Sequence, residues 1–256
     1  MRRSLAGFAL LALLATVSSS LTAQSPAQAS AKFPPDSLVN VKVFPKNTPV
    51  TQVLGTMRGF AGDLGVRCLF CHVGKEGQPL SQADFPSDEK RTKQVARQMM
   101  LMVQEINRRV DTLPGHTPAS LQVTCGTCHR GVSKPTPLAT LLADVGTQSG
   151  ADSAVKTYKA LRARYYGRSS YDFGEGSLNT AAMRLAQAKK YDEAKALLDL
   201  NEEQFPNLSS TAVSRGNVAL LRADTAAAVS AFREAVKRDA NNQEALGRLR
   251  ALGKQP

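Results

Sequence analysis

The sequence predicts an all-α fold, on three observations. Apolar residues recur at steps of three and four in two segments, about 49–64 and 88–111. From 151 to 253 the chain is Ala-rich and matches itself at an offset of 34 residues. No stretch reads as a strand. Trp is absent and aromatics make up 5% of the chain, so the core is expected to rest on Leu, Val, Ala and Met.

The 256-residue chain opens with Met1-Arg2-Arg3, an apolar run from Leu5 to Val17, and then small polar residues. This order of basic region, apolar core and cleavage zone is that of a secretory signal peptide over 1–29, cut after Ala23 or Ala29. The apolar run falls short of the roughly 20 residues that cross a bilayer. The mature chain is therefore expected in the periplasm, with no membrane span. No Cys lies near the cleavage zone, which excludes a lipoprotein anchor. Residues 30–40 read as a flexible leader.

The first helix is expected over about 49–64. Thr48 serves as its N-cap and Pro49 suits the first helical position. Val53, Met57, Ala61 and Leu64 form one face, and Gly65 ends it. The second helix, about 88–111, carries Val95, Met99, Met102, Val103, Ile106 and Val110 on its apolar side. A 13-residue stretch, 111–123, follows. Residues 135–150 contain Pro and Gly and read as a linker with a short helical piece at 138–143. A terminal helix is expected at 243–252.

Two segments carry the chemistry: Cys68-Leu69-Phe70-Cys71-His72 and Cys125-Gly126-Thr127-Cys128-His129. They hold all four cysteines and two of the three histidines. Each is a C-x-x-C-H, the attachment signature of c-type haem. Two thiols three positions apart can add to the two vinyl groups on one edge of a haem. The adjacent His then reaches the iron. On this reading Cys68, Cys71, Cys125 and Cys128 hold two covalent haems, and His72 and His129 bind their irons. Two other chemistries use C-x-x-C. A zinc site would gather the thiolates, and nothing in it requires the His to follow directly in both copies. A redox dithiol belongs in a βαβ context, and none is seen. The architecture expected is a dihaem c-type cytochrome domain over 41–134 followed by helical hairpins over 151–256.

The formal charge is +12, and Arg2 and Arg3 would leave with the signal. A basic surface steers encounter with acidic partners or anionic lipid. Nucleic acid is not an expected partner of an exported cytochrome.

At the 34-residue offset Ala182 pairs with Gly216, Ala194 with Ala228 and Ala160 with Ala194, while Tyr171 pairs with Phe205. This helix–turn–helix period resembles the tetratricopeptide repeat, though without its Trp. The segments 191–194 and 224–228 are expected as turns leading into second helices. Such arrays present a concave face to protein partners.

Residues Asn40-Val41-Lys42-Val43-Phe44-Pro45, Met57-Arg58-Gly59-Phe60 and Leu64-Gly65-Val66-Arg67-Cys68 resemble the cytochrome c subunit of photosynthetic reaction centres. So do Lys93 to Met100, Glu105-Ile106-Asn107 and Val123 to Gly131. The similarity covers about 38–137. The family subunit carries four haems, and this chain resembles a shortened, dihaem member. The resemblance implies a Met of the preceding helix as sixth iron ligand. Met57, 11 residues before Cys68, fills that place for the first haem. For the second haem the resemblance supplies no counterpart; Met102, Met99, His116 or no protein ligand at all remain open. The resemblance implies an electron carrier rather than an enzyme, with a reaction centre or a respiratory complex as redox partner. Two alternatives stand beside it: a peroxidase-like haem enzyme with one open iron site, and a redox-responsive module that binds partners through its repeats.

Overall fold

The computed structural model describes residues 32–117 and 120–256. The expected signal peptide and its cleavage positions after Ala23 and Ala29 lie outside the described residues. Among the described residues the chain forms ten α-helices and no strand, only an isolated bridge between Val73 and Asp84. The all-α expectation holds.

Helix α1 spans Val50–Leu64 and opens with Pro49 at the cap position, φ −59°. Thr48 does not cap it. Its hydroxyl instead donates to the carbonyl of Pro45 at 2.8 Å, because proline's fixed φ already sets the entry to the helix. The helix stops at Gly65, whose φ of 64° is left-handed. A single 3-10 turn, Cys68–Phe70, follows. Helix α2, Arg91–Val110, is the longest at 20 residues. The second C-x-x-C-H is itself a short helix, α3, Cys125–His129. Thr124 and Thr127 form a capping box at its start.

The expected linker is instead helix. Residues Leu138–Ser149 form α4, three turns long rather than the short piece at 138–143, with Leu138 and Leu142 buried. Pro137 pre-sets its first turn and Gly150 ends it, while Gly146 lies buried inside the helix, where a Cβ would meet the Leu185 side chain at 3.0 Å. Then come α5 Ala151–Tyr165, α6 Glu175–Gln187, α7 Tyr191–Gln204, α8 Ser209–Leu221, α9 Thr225–Arg238 and α10 Gln243–Ala251. Segments 191–194 and 224–228 start α7 and α9 rather than forming turns; Asp224 caps α9 by accepting from the Ala227 N–H at 2.9 Å.

Short loops pair α4 with α5, α6 with α7 and α8 with α9, and α4, α6 and α8 stack in turn. The period of 34 holds from α6 to α8 to α10 and from α7 to α9. Upstream it fails, because the loop between α5 and α6 is longer. The structural partner of Ala194 is therefore Ala154, not the exposed Ala160. Ala154, Ala194 and Ala228 are each the fourth residue of their helix and each 0% exposed. Tyr158, Leu198 and Phe232 follow four residues later, at most 1% exposed. A small residue lets the paired helix approach and a large one fills the groove one turn on. Each such large side chain contributes about 1.5–3 kcal/mol of burial.

Burial divides the chain. Most of the fully covered apolar residues lie in α4–α10. Among the described residues between 41 and 134, only Val53, Lys93 and Val132 are buried. In that region Phe70, Val95, Met99 and Met102 are 41–49% exposed.

Candidate functional site

The local sequence turns each motif histidine to the same task. Around Cys68 the chain closes a tight turn, with His72 N–H bonded to the Cys68 carbonyl at 3.0 Å. The loop that follows returns Phe85 to the imidazole: His72 Nδ1 lies 3.2 Å from the Phe85 carbonyl and the two rings are 4.9 Å apart. In the second motif His129 Nδ1 lies 2.9 Å from the Val132 carbonyl. A backbone carbonyl can only accept, so in both rings the facing Nδ1 carries the proton and Nε2 keeps its lone pair. Burial pushes the His72 pKa down, which favours this neutral ring at pH 7.

The cysteines are unpaired. Cys68 and Cys128 are exposed, Cys71 and Cys125 half-buried. Burial raises the thiol pKa of Cys71 and of Cys125. Among the described residues no three His, Cys, Asp or Glu side chains gather as a metal-holding cluster.

Helix α2 holds both motifs. At its N-terminal end Lys90 donates to the Leu69 carbonyl and Thr92 to that of Phe70 at 2.6 Å. Lys93 reaches the loop 85–87. At its C-terminal end Asn107 grips Val123, two residues before Cys125. Lys93 and Asn107 are 14 residues apart, about 21 Å along the helix at 1.5 Å per residue. The apolar side of α2 between them carries Val95, Met99 and Met102.

Helix α1 packs on α3. The Gly131 N–H donates to the Asp63 carbonyl at 2.8 Å, and a Cβ on Gly65 would meet the Gly131 carbonyl oxygen at 2.1 Å. Only glycine fits Gly65, both for its left-handed φ and for this approach. Arg130 and Gly131, at φ 50° and 81°, turn the chain back directly after His129.

Met57 is half-buried on α1. Met99 and Met102 are 41% and 49% exposed on α2. The third histidine, His116, sits in the loop after α2 with Nε2 3.4 Å from Asp111 Oδ1. That geometry leaves Nε2 buried without a hydrogen bond.

Several residues that shape the site carry no motif of their own. Residues 32–40, expected as a flexible leader, are tied to it. Phe33 stacks on Phe85 at 5.2 Å, Asn40 Nδ2 donates to the Pro86 carbonyl at 2.6 Å, and Arg97 donates to the Asn40 carbonyl at 3.1 Å. The loop between α5 and α6 also belongs here. Ser170 Oγ donates to the Arg130 carbonyl at 2.6 Å, and Tyr165 and Tyr171 line a cleft of about 460 Å³ with Leu64, Gly65 and Val132. The one signal of this in the sequence is the aromatic cluster Tyr165, Tyr166, Tyr171 and Phe173 in a chain poor in aromatics.

The family model described as photosynthetic reaction centre cytochrome C subunit matches residues 79–174. The match takes in α2, the second motif, α4, α5 and the aromatic loop. It begins after the first motif and runs past the expected limit near 137 to take in Ser170, which closes on Arg130. The chain is thereby similar to haem-binding, electron-transferring cytochromes over this stretch. No curated protein and no solved structure matches the chain. Among the described residues no helix is long and apolar enough to cross a membrane.

Proposed function

We propose that the chain is an exported electron-transfer cytochrome that carries two covalent haems and works in the periplasm. Cys68 and Cys71 hold the first haem and Cys125 and Cys128 the second, each thiol adding its S–H across a vinyl double bond. His72 and His129 bind the irons through Nε2. The observation that carries this reading is the shared orientation of the two imidazoles, each with Nδ1 on a backbone carbonyl. Such a contact fixes tautomer and ring orientation and raises ligand basicity.

The surrounding residues fit the group. A helix with a half-exposed apolar stripe is poorly stable alone, and a porphyrin face supplies the missing cover. When bound, the haem irons supply one-electron chemistry between ferrous and ferric states. The protein needs no acid or base for this; it holds ligands, spacing and burial.

Met57 is the sixth ligand of the first haem. For the second, Met102 is favoured, with Met99 beside it, because both present thioethers from the helix that grips the second motif. His116, whose buried Nε2 has no hydrogen-bond partner, is the other candidate. The repeats over α6–α10 form a docking surface for a protein partner, and the redox partner is a reaction centre or a respiratory complex.

The test is the haem-to-protein ratio and absorption spectrum of the full chain produced with c-type maturation machinery. Two covalent haems, both low-spin, support the carrier. One high-spin haem that binds carbon monoxide quickly points to an enzyme with an open iron. No covalent haem overturns the reading.

A further inference from the structure

Lys93 is the one buried charged residue among the described residues, 9% exposed and near the start of α2. An ammonium buried this far is costly unless its charge and its three N–H donors are met. Here they are met by one turn of loop. Lys93 Nζ donates to the carbonyls of Phe85, Pro86 and Ser87 at 2.9, 2.9 and 2.8 Å, and Asp88 Oδ1 lies 3.2 Å away.

The first of these carbonyls is the one that accepts from His72 Nδ1. The ammonium and the imidazole therefore share the same acceptor oxygen. Asp88 also takes Lys42 at 2.7 Å and Arg97 at 2.7 Å. Three cations on one carboxylate leave the cluster positive, next to the ring that carries the motif's ligand nitrogen.

We infer that Lys93 is a positioning residue for His72 and sets the reduction potential of the haem held by the first motif; this rests on the reading that His72 binds that haem's iron. It acts in three ways, of which the last two share a sign. Its hydrogen bonds fix loop 85–87, and so the orientation of the imidazole. By drawing electron density from the Phe85 carbonyl it weakens that carbonyl as an acceptor for Nδ1–H, and the imidazole becomes a poorer donor to the iron. Its charge, only partly offset by Asp88, further favours the reduced state. The second motif has no equivalent among the described residues: no cation there donates to Val132, the carbonyl that accepts from His129. The two haems are thus held by like ligands in unlike fields.

The experiment is a potentiometric titration of the full-length, two-haem protein and of three variants. Lys93→Met keeps the length of the side chain and removes its charge and donors. It should lower one of the two potentials and leave the other in place. Lys93→Arg keeps the charge and should hold that same step near the wild-type value. Asp88→Asn removes the offsetting charge and should raise it. A Lys93→Met protein with two haems and both potentials unchanged overturns the inference. So do Lys93→Met and Asp88→Asn shifting the step in the same direction, the mark of mere loosening. Where Lys93→Met fails to keep its first haem, Asp88→Asn alone decides: an upward shift supports the inference and an unmoved potential overturns it. A wild-type chain without two haems would instead sink the haem reading itself.

Discussion

Asn107 and Val123 bond in both directions. The side-chain amide donates to the Val123 carbonyl and accepts from its N–H, each at 2.8 Å. The pairing copies one rung of a β-ladder on the last turn of α2. It satisfies both backbone groups of the residue that leads into the second C-x-x-C-H, and it bridges a sequence separation of 16 residues. Asn107→Ala leaves both unpaired and is expected to cost about 1–3 kcal/mol. The second haem should load less fully while the first loads as before, read by haem stoichiometry. Equal loading of both would show that Val123 is held by other means.

Gly216 lies in α8 against α9, where a Cβ would meet the Phe232 ring at 2.4 Å. In an open helix Gly→Ala stabilises by roughly 0.5–1 kcal/mol. Here overpacking reverses the sign, and Gly216→Ala should destabilise by about 1–3 kcal/mol. Thermal unfolding measures it. Adding Phe232→Leu makes room and should recover part of the loss.

Asp88 is held well below the usual carboxylate range, first by Lys42 and also by Asn40, Lys93 and Arg97. In the unfolded chain its pKa returns to about 3.9. Above that value the folded state gains from the ionised group; as pH falls below it, the unfolded chain takes up a proton that the folded chain does not, and the gain is lost. The stability difference between wild type and Asp88→Asn, measured by denaturant titration, should be full at neutral pH and shrink below pH about 4. A difference that is constant with pH would assign the contribution to packing.

Met57→Leu keeps the volume of the α1 face and removes the thioether. With Met57 as sixth ligand, one of two retained haems turns high-spin, visible in the absorption spectrum. Two low-spin haems with wild-type potentials would make Met57 an ordinary residue of that face.

Ser170→Ala removes the hydroxyl that donates to the Arg130 carbonyl. The expected loss is about 0.5–1.5 kcal/mol of stability, with the spectrum of the second haem shifted and that of the first unchanged. An unaltered second haem would make the α5–α6 loop a spacer only.

Both motifs were legible in the sequence because their chemistry is local. Attachment and ligation need two cysteines and a histidine at fixed offsets, and no fold can alter those offsets. Helices α1 and α2 were legible from their apolar spacing, and α10 from its place at the end of the array. The linker was misread for a physical reason. Pro137 and Gly150 break structure in a loop but bracket it at the ends of a helix, and only the burial of Leu138 and Leu142 shows which applies. The repeat was legible where the period is strict, from α6 onward, and misaligned upstream by the longer loop after α5.

By itself the sequence determined the all-α class, the two C-x-x-C-H segments and the repeat period from α6 onward, since each is written in spacings of a few residues or in a regular offset. Only the tertiary structure decided what each histidine faces. Phe85 is 13 residues from His72 and Lys93 a further 8, yet they meet on one carbonyl. Ser170 reaches Arg130 across 40 residues. Such contacts depend on how the loops close, and a loop closes according to what its backbone groups bond to at the other end, which local patterning leaves open.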